Sequence, residues 1–309
     1  MGRALIIDCD PGVDDAIALL LALASPELEV LGITTVAGNV GGALTARNAR
    51  LIRQIAGRQD VPVFAGCERP MVRAPIVADH FHGESGLGSL PVSEPEAPPA
   101  DGHAVDFLVR TVMERPAGSV SLAVIGPMTN VAMAMVLEPA FAQRLGPVVF
   151  MGGARGEGGN ITASAEYNVC ADPHAAHVVF TSGVRPVVLG LDATHQVRAT
   201  PERVAAIEAL GTPAGDAAAE LLRFAVATGR KQLGGDSPPL HDPCTIAWLL
   251  RPELFTAEPC RLDVEINSAL TLGHTAVEFR LGQHEPNAEW VTRADGAGVF
   301  ALLAERLGR

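Results

Sequence analysis

Aromatic residues and positive charge are scarce in this sequence, and each shortage argues against a class of partner. Aromatic residues make up 4% of the 309 residues, with a single tyrosine, so a stacking platform for single-stranded nucleic acid is not expected. Lysine and arginine number 23 against 35 aspartate and glutamate residues, which gives a net charge of −12. An acidic chain of this kind is a poor partner for nucleic acid and for an anionic membrane surface.

Paired cysteines and long apolar runs are also lacking. The five cysteines are scattered and have no C-x-x-C spacing, which indicates free thiols rather than disulfides or a zinc site. Asp8 interrupts the first apolar run, so no signal peptide is expected. The longest apolar stretch, residues 16–24, is too short to span a bilayer. These features predict a cytoplasmic protein without a membrane partner.

What the sequence does contain is an alternation of strand-like and helix-like segments. Residues 4–7 have the pattern of a buried parallel strand and residues 16–24 that of a buried helix, and similar pairs follow. This order predicts an α/β fold with an open, mostly parallel, Rossmann-like sheet and helices on both faces. Residues 261–267 and 275–280 are expected to form an antiparallel pair. With no repeat or linker, residues 1–309 are predicted to form a single domain.

The most informative segment is D-C-D-P-G-V-D-D at residues 8–15, which places four carboxylates between the first strand and the first helix. Ligands of open α/β sheets bind at the carboxyl ends of the strands. Carboxylates this close repel one another and hold protons unless a cation or hydrogen-bond donors neutralise them. A hard divalent cation bound by oxygen ligands accounts for the cluster. Taken alone, Asp14 and Asp15 also fit a helix start, where acids complement the helix dipole.

Polar residues also follow other predicted strands, and parallel strands bring all of these ends to one edge of the sheet. Each residue has an ordinary explanation by itself. Asn39 fits a turn, and His241 with Asp242 fits a helix N-cap. Because all of them converge on one edge, an active site at the carboxyl ends of the strands is the better explanation. The residues concerned are Asp8, Asp10, Asp14, Asp15, Asn39, Thr129, Asn130, Asn160, Glu166, Asn168, His241 and Asp242.

Five motifs in this order resemble the inosine–uridine-preferring nucleoside hydrolase family over essentially the whole chain. The segment at residues 8–15 matches that family's D-x-D-P-G-x-D-D signature, which is highly specific. H-G-E-S-G-L at residues 82–87 resembles its H-G-x-x-G-L element, and G-P-M-T-N at residues 126–130 matches G-P-L-T-N. Residues 151–168 match its central loop, and P-L-H-D-P at residues 239–243 matches its late histidine–aspartate pair.

The resemblance implies hydrolysis of the N-glycosidic bond of ribonucleosides to ribose and free base, in a homodimer or homotetramer that binds Ca²⁺. It implies that Asp10, Asp15, Asp242 and the main-chain carbonyl of Thr129 hold the metal. Asp10 is also implied as the base that deprotonates the attacking water, and His241 as the group that protonates or hydrogen-bonds the departing base. The residues implied to bind the substrate are Asp14, Asn39, His82, Met151, Asn160, Glu166 and Asn168.

General chemistry agrees with these implied roles, although the preferred base stays open. Carboxylates, a carbonyl and sugar hydroxyls are ligands that Ca²⁺ prefers, whereas zinc favours histidine and cysteine. An oxocarbenium-like ribosyl centre is stabilised by a ring of carboxylate and amide oxygens. Pyrimidine-preferring members carry a tyrosine about eight residues before the histidine–aspartate pair, and this chain has no aromatic residue there. Neither Trp248 nor Trp290 is convincingly placed to stack on a base.

Two other functions fit parts of the same pattern. Metal-dependent phosphohydrolases of the haloacid dehalogenase type also begin with D-x-D after a first strand. In this chain Pro11 and Gly12 follow Asp10, and no lysine occupies a suitable later motif. A non-catalytic ribonucleoside-binding protein is the third alternative, but binding alone requires neither a base such as Asp10 nor an acid such as His241.

Overall fold

A nine-stranded sheet forms the centre of the fold in a computed structural model that describes residues 2–309 apart from 234, 236, 281 and 283. The strands are β1 (Arg3–Cys9), β2 (Leu28–Thr35), β3 (Val63–Ala65), β4 (Val120–Val124), β5 (Val148–Met151), β6 (Val187–Leu189), β7 (Phe255–Val264), β8 (Thr275–Glu278) and β9 (Ala288–Ala294). The helices are α1 (Val13–Leu23), α2 (Gly42–Ile55), α3 (Asp79–His82), α4 (Ala104–Glu114), α5 (Thr129–Leu137), α6 (Phe141–Arg144), α7 (Tyr167–Ala171), α8 (Pro173–Thr181), α9 (Leu191–Thr194), α10 (Pro201–Glu208), α11 (Pro213–Leu233), α12 (Pro243–Leu250) and α13 (Gly296–Leu307), with a 3-10 turn at Pro252–Leu254.

The sheet is mostly parallel, as predicted. Its strand order is β3-β2-β1-β4-β5-β6-β9-β7-β8. Every neighbouring pair from β3 to β9 is parallel, and β7 pairs antiparallel with both β9 and β8. The predicted antiparallel pair near the C-terminus is β7 with β8. Strand β9 has no counterpart among the predicted strands. The assignment of residues 1–309 to a single domain stays a prediction.

Helices cover both faces of the sheet because successive side chains of each strand point in opposite directions. Leu5 and Ile7 of β1 belong to a core that includes α1, α12 and α13. Ile6 lies between them in sequence and belongs to a second core that includes α4, α5 and α8. All three side chains are fully buried. The two cores fix β1 at the centre of the molecule, so the residues that leave its carboxyl end are held in place.

The carboxyl ends of β1 and β4 form the crevice in which ligands of this fold class bind. The chain passes from β1 outward to β2 and β3, and later returns to β4 on the other side of β1. Neighbouring strands whose connections run in opposite directions leave a gap between the two connections. Residues 8–15 leave β1 and residues 125–130 leave β4 at this point, so the fold places the carboxylate segment in the crevice.

The long segment after β3 is tied to the rest of the protein by several hydrogen bonds. Arg53 of α2 is 3% exposed and donates hydrogen bonds to the carbonyls of Ala97 and Pro98. The hydroxyl of Tyr167 donates a hydrogen bond of 3.1 Å to the carbonyl of Ile76. Within this segment the described structure contains one short helix, α3. At the start of α3, the backbone N–H of Ala78 donates a hydrogen bond to the carbonyl of Asn39, which holds this helix beside the crevice.

None of the helices in the described ranges is both long and apolar enough to cross a membrane. All five cysteines are unpaired, in agreement with the prediction of free thiols.

Candidate active site

A pocket of about 370 Å³ opens at the carboxyl edge of the sheet and gathers most of the predicted site residues. They come from segments at both ends and the middle of the chain. Asp10, Asp15 and Thr129 are not part of its lining. The predicted residues that line it are Asp14, Asn39, His82, Met151, Asn160, Glu166, Asn168, His241 and Asp242.

Three carboxylates meet at one side of this pocket. Each of Asp14, Asp15 and Asp242 offers an oxygen, and these oxygens all lie within 4.8 Å of one another. Asp15 and Asp242 are buried, whereas Asp14 is partly exposed. The two oxygens of Asp15 accept the backbone N–H groups of Asp10 at 3.1 Å and Gly12 at 3.0 Å. The turn between β1 and α1 therefore orients this carboxylate.

Asp10 adjoins the same cluster and has one carboxylate oxygen without a partner. Its Oδ2 accepts the backbone N–H of Asn39 at 2.7 Å, while its buried Oδ1 has no hydrogen bond among the described residues. A Cβ atom at Gly38 would lie 2.0 Å from Oδ2, and one at Gly126 would lie 2.5 Å from Oδ1. Only glycine fits at these two positions, since any side chain would displace the carboxylate. Asp10 thus presents an uncommitted ligand oxygen at a buried position.

Asn39 connects the two buried acids that follow β1. In addition to its backbone bond with Asp10, its side-chain Nδ2 donates to Oδ2 of Asp15 at 3.0 Å and to the carbonyl of Asp10 at 3.2 Å. Both amide hydrogens are therefore committed to the acidic cluster. Asn39 therefore lines the pocket and also orients Asp10 and Asp15.

Burial and mutual repulsion raise the pKa values of the buried acids in the cluster. Burial, with repulsion from Asp15, raises the pKa of Asp10 well above its usual range. Burial, with repulsion from Asp14, raises the pKa of Asp15 to about 7 and that of Asp242 well above its usual range. A cation among these oxygens would favour the ionised carboxylates. The all-oxygen donor set and the unpartnered Oδ1 of Asp10 fit a hard divalent cation, so the structure contains a possible acidic metal site.

Thr129 lies beside this cluster but faces another cavity. Its hydroxyl donates a hydrogen bond of 2.7 Å to Asp172, and the residue lines a cavity of about 50 Å³. The close approach of Gly126 to Asp10 places the turn before α5 next to the acids. The ligand implied by the resemblance is the main-chain carbonyl of Thr129, and that role stays a prediction.

Asp8, the remaining carboxylate of the opening segment, supports the strand ends. It is fully buried, and its Oδ1 accepts the hydroxyl of Thr34 at 2.6 Å and the side-chain amide of Asn130 at 2.8 Å. Burial raises the pKa of Asp8 to about 7, against the effect of these two hydrogen bonds. Asn130 also donates to the carbonyl of Thr35 at 3.0 Å. The pair therefore joins the ends of β1 and β2 to the start of α5.

Glu166 and Asn168 are held by the backbone around them. Glu166 caps α7, and its two oxygens accept three backbone N–H groups, from Gly153 at 2.9 Å, Asn168 at 2.9 Å and Val169 at 3.1 Å. Burial raises the pKa of Glu166 to about 6, although these hydrogen bonds act in the opposite direction. The amide of Asn168 donates to the carbonyl of Met151 at 3.1 Å. The central loop therefore reaches the pocket in one fixed arrangement.

Asn160 fixes the middle of the same loop. Its Oδ1 accepts the backbone N–H of Tyr167 at 2.8 Å. Tyr167 lines the pocket and reaches across to Ile76 in the segment after β3. The hydrogen bonds of Asn160 and Tyr167 thus join the central loop to the segment after β3, and both segments contribute to the lining of the pocket.

His241 lines the pocket and lies against the end of α9. Its Nδ1 is 2.8 Å from Oγ1 of Thr194, and its ring is tilted against that of His195 with 5.8 Å between centroids. Burial lowers the pKa of His241 to about 4, an effect that Asp14 opposes. Thr194, His195 and Phe81 were not among the predicted site residues. The rule that identified the others applies here too, because Thr194 and His195 follow the carboxyl end of β6.

The amino-acid sequence over residues 5–301 matches the family model of inosine-uridine preferring nucleoside hydrolases. The chain belongs to this family. A similar protein is the pyrimidine-specific ribonucleoside hydrolase RihA of Salmonella agona, which is 43% identical over 309 residues and covers 99% of both chains. The resemblance of the five motifs to this family is therefore confirmed.

Solved structures of other nucleoside hydrolases have the same fold. The plant nucleoside hydrolase PpNRh1 superimposes with a TM-score of 0.93 at 32% identity, over 99% of each chain. A purine-preferring ribonucleoside hydrolase from Gardnerella vaginalis gives a TM-score of 0.92 at 30% identity, over 99% of this chain and 98% of that one. This nucleoside hydrolase is thus an enzyme that cleaves N-glycosidic bonds, and the phosphohydrolase and simple binding protein are the less favoured alternatives.

Proposed function

We propose that this nucleoside hydrolase splits ribonucleosides into ribose and free base with the aid of Ca²⁺, and that it serves nucleoside salvage in the cytoplasm. The observation that carries this proposal is the pairing of two features in one pocket. The acidic cluster contributes Asp14 and Asp242 to the lining, and His241, which has one ring nitrogen already bonded, lines the same pocket. The first suits a cation and the anomeric centre, and the second suits a leaving base.

The residues proposed to hold Ca²⁺ are Asp10, Asp15, Asp242 and the main-chain carbonyl of Thr129. The unpartnered Oδ1 of Asp10 and the raised pKa values of all three acids support this assignment. A bound divalent cation would supply positive charge that keeps these carboxylates ionised and makes nearby water more acidic. Asp14 shares the cluster but is partly exposed in the pocket, which suits it to bind the ribose.

The side chains of the enzyme then carry out the reaction at the two ends of the bond. Asp10 takes a proton from the attacking water, whose oxygen bonds to C1′ of the ribose. The C1′–N bond breaks, and its electron pair leaves with the base. His241 donates a proton or a hydrogen bond to the ring nitrogen that receives this pair. The acids near C1′ stabilise the positive charge that develops on the ribosyl group.

The ribose is proposed to lie among Asp14, Asn39, Asn160, Glu166 and Asn168, with Met151 against the sugar. The side chains of Asn39, Asn160, Glu166 and Asn168 are fixed before a substrate arrives, because backbone groups already bond to them. Preorganised polar groups need little rearrangement in the transition state. His82 is proposed to lie near the base.

A panel of substrates tests the function. Purified enzyme with Ca²⁺ is incubated with uridine, cytidine, inosine, adenosine and the corresponding 5′-monophosphates. Release of free base from the nucleosides is the expected result. Release of phosphate would instead support a phosphohydrolase, and tight binding without turnover would support a binding protein. The panel includes both base classes because the similar proteins include a pyrimidine-specific and a purine-preferring enzyme. A homodimer or homotetramer is proposed for the assembly, and light scattering measures its mass.

A further inference from the structure

The hydroxyl of Thr194 has a single hydrogen-bond partner among the described residues, and that partner is His241. Oγ1 lies 2.8 Å from Nδ1 of the imidazole. Thr194 is fully buried at the end of α9, so water does not compete for this hydroxyl. Threonines near helix ends commonly bond to a carbonyl of the preceding turn. Thr181 at the end of α8 does so with the carbonyl of His177 at 2.7 Å, but Thr194 has no such bond.

This hydrogen bond decides which ring nitrogen of His241 is available to a ligand. An imidazole has two nitrogens, and a partner on one of them sets the role and direction of the other. With Nδ1 bonded to Thr194, Nε2 is the nitrogen left for a molecule in the pocket that His241 lines. A hydroxyl both donates and accepts, so the same contact suits Nδ1 with or without its proton.

The segment that carries Thr194 is itself held firmly. The carboxylate of Asp192 accepts the backbone N–H groups of Arg155 at 2.8 Å and Gly156 at 2.7 Å. The next residue after α9, His195, bonds through Nδ1 to Glu157 at 2.8 Å and packs its ring beside His241. Residues 191–195 therefore join the glycine-rich loop after β5 to the proposed leaving-group acid.

We propose that Thr194 is a positioning residue for leaving-group departure, which holds the imidazole of His241 with Nε2 directed at the base. This inference rests on the proposed role of His241. Thr194 does not touch the substrate in this scheme and acts only through the ring. Its effect is therefore confined to substrates whose base needs a proton or a hydrogen bond in order to leave.

Thr194→Val tests this role because it removes the hydroxyl and keeps the branched shape. On inosine and uridine we expect kcat to fall at least about tenfold, with KM within about twofold, since the lost interaction acts in the transition state. On p-nitrophenyl riboside, whose leaving group needs no proton, kcat should stay within about twofold. Thr194→Ser keeps the hydroxyl and should restore most of the rate on inosine. Thr45→Val is a matched control, because Thr45 is fully buried and bonds to the local carbonyl of Gly42.

The double variant His241→Ala/Thr194→Val separates positioning from a general structural effect. If Thr194 acts through His241, the double variant is no slower on inosine than His241→Ala alone. The proposal is overturned if Thr194→Val slows both substrate types equally, if Thr194→Ser is as slow as Thr194→Val, or if the double variant is slower still. Melting temperatures of all variants show whether a loss comes from unfolding.

The His241→Ala variant also distinguishes the two proposals from each other. If it slows inosine and spares p-nitrophenyl riboside while Thr194→Val changes neither, His241 keeps its role and only the inference on Thr194 fails. If His241→Ala slows both substrates equally, the acid role itself fails, and the positioning role fails with it.

Discussion

The backbone N–H of Val13 donates a hydrogen bond of 3.0 Å to Nδ1 of His82. This bond joins the first turn of α1 to α3, which lies in the long segment after β3. Because Nδ1 accepts, the proton of the neutral ring is on Nε2. Burial lowers the pKa of His82, so the ring resists a second proton. His82 can therefore donate a hydrogen bond from Nε2 to a base that lies near it.

His82→Ala should slow inosine, and should slow p-nitrophenyl riboside less, because the p-nitrophenyl group has no nucleobase to accept the hydrogen bond. The expected loss in kcat/KM is roughly threefold to tenfold, equivalent to one hydrogen bond of about 0.5–1.5 kcal/mol. His80→Ala is the matched control, since His80 lies on the same short helix and does not line the pocket. A loss on inosine of about 10²-fold or more, the size expected for a general acid, would instead mean that His82 shares the protonation of the base.

Calcium should copurify with the enzyme at about one equivalent per chain, as measured by elemental analysis. Adding Ca²⁺ to chelator-treated protein should raise its melting temperature, because a ligand at 100 times its Kd stabilises the folded state by about 2.7 kcal/mol. Asp10→Ala should remove this shift and nearly all turnover while the protein stays folded. Asp106→Ala, at an exposed position of α4, is the control. Stoichiometric zinc without calcium in active enzyme would contradict the assignment.

Ribonucleosides should react far faster than their 2′-deoxy counterparts. A site that hydrogen-bonds a hydroxyl discriminates against its absence by roughly 10⁴-fold in favourable cases. The measurement compares kcat/KM for inosine and 2′-deoxyinosine. Equal rates would contradict the ribose-binding role proposed for Asp14, Asn39 and Asn168.

His241→Ala should lower kcat on ordinary nucleosides by about 10²–10⁴, the usual contribution of a general acid. KM should change little, because the proton or hydrogen bond matters mainly in the transition state. Hydrolysis of p-nitrophenyl riboside by the same variant should be largely spared. If His241 merely caps the start of α12, both substrates would lose rate together through a displaced acidic cluster.

Glu166→Ala should destabilise the protein as well as reduce its activity. The substitution leaves three backbone N–H groups, those of Gly153, Asn168 and Val169, without their carboxylate. Buried donors that lose a partner cost about 1–3 kcal/mol each, so a loss of about 3 kcal/mol or more is expected. Thermal unfolding measures it, with Glu114→Ala at an exposed position of α4 as the control. A melting curve like that of the wild type would show that Glu166 is dispensable for the loop.

The sequence predicts the parallel part of the fold better than its edge. Strand β5 (Val148–Met151) is an apolar run between two turns, so the local sequence is enough to indicate it. Strand β9 reads A-E-W-V-T-R-A, with charged residues near both ends, and its alternation is too irregular to indicate a strand. It forms because β6 and β7 lie on either side of it. That pairing joins segments far apart in the chain, which local patterns do not reveal.

For the candidate site as well, the sequence indicates residues near strand ends but not the contacts between distant segments. Residues such as Asp14 and Asn39 are found from the sequence because they stand directly after predicted strands. The sequence does not reveal that both amide hydrogens of Asn39 are used by the acids, or that Thr194 bonds to His241. Such contacts depend on loop geometry and on which partner arrives from elsewhere, so they require the structure.

The meeting of Asp15 with Asp242 has a consequence for how the enzyme matures. The first carboxylates of the site are synthesised almost at once, and the last belongs to the turn before α12, near the end of the chain. During synthesis on the ribosome, Asp14 and Asp15 are therefore present long before Asp242. Contacts of such long range also form slowly during folding. Since the proposed cation site is complete only when Asp15 and Asp242 have met, metal uptake should report a late step of folding, and no N-terminal fragment that stops before Asp242 should be active.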